Sequence, residues 1–267
     1  MYGLGEPLDR LLAKVERAKK HIVDLEAERD QFYLSNPVRF RAENDQKTGE
    51  HNWYVAEIKP IPLSFAVIIG DAANNLRSAL DHMAYNLVCV GEGAVKTFQH
   101  AKFPVGSDLA DYKNQRTKAL KGMRPDAIAA IDALQPYVGG AGEYFWHLAR
   151  INNHDKHKLL LTSWSSFDGH TAFKSEREWI AKFHGGGSDQ YRSAFIAPAM
   201  RIFPLKLGDR VLTASESDID ETMSFLVGIA FVEPEIVKGN PVIDTLHEMT
   251  KLVRATIFDF DRQGLFR

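Results

Sequence analysis

Apolar positions recur every three or four residues at Leu8, Leu11, Val15, Ala18, Ile22, Leu25 and Phe32. At 3.6 residues per turn this spacing gives one apolar stripe, so the sequence predicts a helix from Pro7 to Tyr33 with proline in its first turn. The pattern then changes period. Val38 to Ala42 and Trp53 to Ile58 are strand-like, Asn44 to Gly49 supplies a turn, and Pro60 and Pro62 end the predicted hairpin. Leu63 to Val90 reads as a second long helix, followed by short helical pieces up to Gln135.

Pro136 and the glycines at 139, 140 and 142 mark a break, after which Glu143 to Leu161 is expected to be helical. From Thr171 to Ile236 the character is β, with strand-like runs at Trp179–Phe183, Ala194–Phe203, Arg210–Thr213 and Ser224–Val232. Pro241 opens a last helix whose Leu246, Met249, Val253, Ile257 and Phe260 share a face. The expected fold is α+β in a single domain over 1–267. It is mainly a helical bundle (about 6–33, 63–90, 143–161 and 241–262) with a β-hairpin inserted near 38–60 and a β subdomain near 171–236.

Two of these helices carry unusual polar residues. On α-helical geometry, the second helix puts Ala72, Ala73, Leu76, Ala79, Leu80, Met83 and Leu87 on one side. Asp71, Asn74, Ser78, Asp81 and Tyr85 line the other, flanked by Asn75, Arg77 and His82. Solvated helix faces favour Lys, Glu and Gln; short hydrogen-bonding side chains such as these point to a specific polar partner, whether a helix, a subunit or a ligand. In Glu143–Lys158, Asn152 and Lys156 fall inside the apolar arc and Asp155 at its edge. A buried lysine requires an anion, so Lys156 is expected to pair with Asp81 or Asp71, joining the two helices through a polar seam.

Composition narrows the chemistry. The formal net charge is −2 over 267 residues and 45% of positions are hydrophobic, enough for a core and too neutral for a long-range field that attracts nucleic acid. Basic residues of the first helix alternate with acidic ones, as on a solvated face. The one cysteine, Cys89, permits no intrachain disulfide and reads as a buried, inert thiol. Met1 to Pro7 does not read as a signal peptide, and the apolar run near Leu63–Gly70 is too short to span a bilayer, so a cytoplasmic location and no membrane contact are expected. Gly185–Gly187 has no following Lys-Ser/Thr and reads as a turn.

The Arg-x4-His pattern of Arg77 and His82 resembles the HEPN superfamily, helical-bundle proteins that often act as metal-independent endoribonucleases. Arg150/His157 and Arg177/His184 have related spacings. The resemblance implies a homodimer whose Arg and His act together on the RNA backbone. An imidazole moves the 2′-hydroxyl proton near neutral pH, and a guanidinium stabilises the developing phosphorane charge. Ser78 departs from the family pattern, which often has Asn, Asp or His after the arginine. The segments Gly70–His82 (with Asn-Leu-Arg-Ser-Ala-Leu-Asp-His from Asn75) and Asn152–His157 (Asn-Asn-x-Asp-Lys-His) also resemble an uncharacterised bacterial protein family. That second resemblance implies the two motifs belong together and brings no activity.

Three readings stay open. The leading one is a HEPN-like endoribonuclease or nucleotide-binding protein, with RNA or nucleotide as partner and no cofactor. Arg77 and His82 would be catalytic, supported by Asn74, Ser78, Asp81, Asn152, Asp155, Lys156 and His157. The second is a non-enzymatic structural or interaction protein in which the polar seam only fixes helix register. The third is a metal-dependent hydrolase drawing ligands from Asp81, His82, His154, Asp155 and His157.

Overall fold

The computed structural model describes residues 7–92, 100–160, 162–166, 202–215 and 227–267. Four helices supply the main core: α1 (Pro7–Tyr33), α2 (Leu63–Glu92), α5 (Glu143–Asp155) and α6 (Val242–Arg262). Two shorter helices, α3 (Leu109–Ala119) and α4 (Pro125–Ala133), connect α2 to α5. Leu11, Val15, Ala18, Ile22 and Leu25 of α1 are buried with Leu76, Leu80 and Met83 of α2 and with Leu246, Met249, Val253 and Ile257 of α6. The stripes legible in the sequence are therefore the ones that pack, and their burial in place of water is the main stabilising term.

The hairpin forms as expected. β1 (Val38–Asn44) and β2 (Glu50–Ile58) pair antiparallel, and β4 (Arg210–Ser215) adds to the other edge of β2. A second sheet joins β3 (Thr162–Ser166) to β5 (Val227–Phe231), also antiparallel. A smaller apolar cluster of Val55, Trp164, Leu205 and Val211 lies beside the three-stranded sheet. Trp164 ties it to the bundle: its ring stacks on Phe32 at 5.7 Å and its indole N–H donates to the Lys59 carbonyl at 2.8 Å. The fold is thus α+β with helices dominant.

Several boundaries differ from expectation. α5 ends at Asp155 instead of Leu161, because the last turn tightens. His157 N–H bonds to the His154 carbonyl, and Leu160 then turns into the core. Asn, His and Asp near its end are weak helix formers. The expected run Arg210–Thr213 lies within β4 and β5 falls within the expected run Ser224–Val232, whereas Ile202 and Phe203 are not in a strand. The expected strands Trp179–Phe183 and Ala194–Arg201, the 185–187 turn and the Arg177/His184 pair lie outside the described residues. Cys89 sits within α2 and is half-buried rather than buried. Among the described residues no helix is long and apolar enough to cross a membrane.

Candidate functional site

α5 lies along the side of α2 that carries Gly70, Ala73 and Arg77, residues three and four apart on one helix face. Gly70 leaves room for the Asp155 side chain: a Cβ there would stand 2.3 Å from its Oδ1. Burial pushes the Asp155 carboxyl above its ordinary value, the Asp71 charge adds to the effect, and His154 opposes it. His154 Nε2 is 3.0 Å from Glu233 but not aligned for a hydrogen bond.

Two turns further along α2, Arg77 is only 8% exposed. Its Nε donates to Asp81 Oδ2 at 3.2 Å, and its Nη2 to Asp81 Oδ1 at 2.7 Å and to the Phe103 carbonyl at 2.6 Å. The Phe103 N–H in turn donates to Asp81 Oδ1 at 2.9 Å. The pair therefore grips both backbone polar groups of one residue, Phe103, and fixes the strap that leads into α3. Among the described residues Arg77 Nη1 has no partner, and neither has Oδ1 of Asn152, which is 4% exposed on α5. A buried donor or acceptor left this way costs about 1–3 kcal/mol.

Arg77 and Asn152 line the same cavity, about 350 Å³ in volume. Its rim carries Lys102 from the strap and Arg150 and Lys156 from α5 and its end. None of these three cations is in an ion pair among the described residues. The two lining carboxylates are already engaged. Asp81 serves Arg77, and Asp111 accepts from the Ser107 backbone N–H at 2.9 Å and from its hydroxyl at 3.2 Å. That backbone bond, working against partial burial, and then the Ser107 hydroxyl, Gln115 and the Lys102 charge hold the Asp111 carboxyl below the ordinary carboxylate range. Trp146 completes one wall, with the Arg150 guanidinium 6.0 Å from its ring centre. Another cavity of about 370 Å³, between α1, α2, β5 and α6, is mainly apolar and contains none of the nominated residues.

The nominated residues divide. Arg77, Asp81, Asn152 and Lys156 meet at the cavity. His82, Asn74 and His157 are exposed, Ser78 is half-buried, and none of these four lines it. Five residues along a helix place Arg77 and His82 about 140° apart. Lys156 is not buried and pairs with neither Asp81 nor Asp71: α5 has ended, so the lysine caps it in solvent. Arg77 is the cation that Asp81 holds. Among the described residues no group of three or more His, Cys, Asp or Glu is placed to hold a metal ion. Reasoning from sequence missed Lys102, Phe103, Asp111 and Trp146 as neighbours. The signal available was the need of a helical arginine for acceptors beyond its own helix. Comparison with known proteins finds no family model, curated protein or solved structure that matches the chain.

Proposed function

We propose that this chain binds a phosphate-bearing nucleotide or RNA group in the cavity beside Arg77, the nucleotide-binding form of the HEPN-like reading. The observation that carries this is the convergence of Lys102, Arg150 and Lys156, none of them in an ion pair among the described residues, on a cavity lined by Arg77 and only two carboxylates, Asp81 and Asp111. The lining carries four cations against two carboxylates, and an anion offsets the excess positive charge. The buried N–H left over on Arg77 adds a directional donor. Inorganic phosphate is expected to raise the thermal unfolding midpoint of the wild type in a concentration-dependent way, and less so for Lys156→Ala. No shift in the wild type sinks the reading.

Cleavage is a second reading, supported by the exposed His82 one turn and a half from Arg77 on α2. Arg77 and His82 diverge within one chain, so a catalytic pair would draw on a second copy. α2 keeps Leu63, Val67, Asp71, Asn74, His82 and Tyr85 exposed along one edge, a surface suited to a homodimer contact. Under this reading the wild type sediments as a dimer and Val67→Glu as a monomer. A cytoplasmic setting belongs to the same proposal.

A further inference from the structure

Resting on the phosphate-binding reading, we propose that the cavity takes a single nucleotide, its phosphate toward the cations and its base against Trp146, rather than a run of polymer. The volume of about 350 Å³ is at the small end of organic-ligand sites. The wall chemistry is divided accordingly. Arg77, Lys102 and Lys156 supply positive charge and N–H donors. Trp146, half-buried on α5, supplies an aromatic face. Asn152 supplies an amide whose Oδ1 has no partner among the described residues.

A bare phosphate leaves one of these unanswered. It offers acceptors to Arg77 and, near neutral pH, an O–H donor for an amide oxygen, but no ring for Trp146. A nucleotide carries all three features: anionic oxygens, hydroxyl or amino donors, and a planar ring. Arg150 lies over Trp146 only at the outer limit of cation–π contact, 6.0 Å from the ring centre. A base can therefore take that face without breaking a tight interaction, and the freed guanidinium remains at the rim to meet phosphate. Asn152 is buried on α5 and lines the cavity. It is fixed by the helix rather than by a loop, as a residue that reads one edge of a ligand requires.

The test is calorimetric titration of the full chain with inorganic phosphate, adenosine and the 5′-monophosphates of adenosine and uridine, using wild type, Trp146→Leu and Trp146→Phe. The monophosphates are expected to bind about tenfold more tightly than phosphate, the increment typical of one stacked base. Trp146→Leu should remove that advantage, with circular dichroism and the thermal unfolding midpoint showing that the variant is folded. Trp146→Phe should restore most of it. Monophosphates that bind wild type no better than phosphate, or an advantage that survives Trp146→Leu, overturn the inference and leave phosphate binding standing. Failure of both phosphate and the monophosphates to bind overturns the phosphate reading as well. Adenosine binding as tightly as its monophosphate overturns the assignment of the phosphate end.

Discussion

The carboxylate of Asp155 on α5 occupies the space that a side chain at Gly70 on α2 would fill, with Cγ 2.4 Å from the position of a Cβ there. Gly70 is interior to its helix, where glycine ordinarily costs about 0.5–1 kcal/mol relative to alanine. Gly70→Ala is therefore expected to give no gain in stability, or a loss, in the wild type. In an Asp155→Ala background the same substitution should stabilise by about 0.5–1 kcal/mol. Chemical denaturation of the four proteins measures this. Equal effects of Gly70→Ala in both backgrounds would show that the contact does not hold.

Asp155 also sets a pH dependence. Its carboxyl lies above the ordinary value of 3.8 because of burial and then of Asp71. A raised carboxyl binds more protons folded than unfolded, so its contribution is present below about 4 and is lost as pH rises through the folded value. Asp155→Asn removes this titration. The stability of the variant relative to wild type should rise between pH 4 and neutral, as read from denaturation midpoints at matched ionic strength. A pH-independent difference would contradict the assignment.

Arg77 is expected to matter for folding as well as for binding. Arg77→Ala leaves Asp81 and the Phe103 carbonyl without the guanidinium that joins them. The cost should be about 1–3 kcal/mol, below that of a fully buried pair, because Asp81 keeps 35% of its side chain exposed. Hydrogen exchange should rise at Phe103, whose N–H bonds to Asp81. Unchanged stability would mean that the clamp contributes nothing.

The catalytic reading makes a separate demand. Metal-free cleavage of structured RNA, in EDTA, should be lost in His82→Ala while folding is retained, since His82 is exposed and outside the core. Cleavage equal to wild type would remove His82 from any reaction, and binding at the cavity would be unaffected.

Much of this architecture can be read from spacing. The stripes of α1, α2 and α6 and the β1–β2 hairpin depend on local periodicity, which survives in sequence. Asn152 was also placed correctly, inside the apolar arc of α5. Lys156 was misplaced because two alternatives differ by a single turn. A helix running to Leu161 buries it, whereas one ending at Asp155 exposes it. β3 was not recognised, because Thr162–Ser166 carries one large apolar residue and gains its pairing from β5, more than 60 residues away. Asp81 pairs with Arg77 rather than with the expected Lys156 for a related reason. The arginine four residues earlier on its own helix was within reach, and the carbonyl of Phe103 that completes the clamp comes from a connection whose course no local pattern fixes.

Calorimetric titration of adenosine 5′-monophosphate into wild type and into a Lys102→Ala/Lys156→Ala variant tests the central claim most directly. Both lysines are exposed at the rim, so the variant should keep its fold. The account predicts binding to wild type that weakens as salt is raised and that falls by at least about tenfold in the variant, as expected when two charge-assisted contacts are removed. No binding by wild type, or equal affinity in the two proteins, would contradict it.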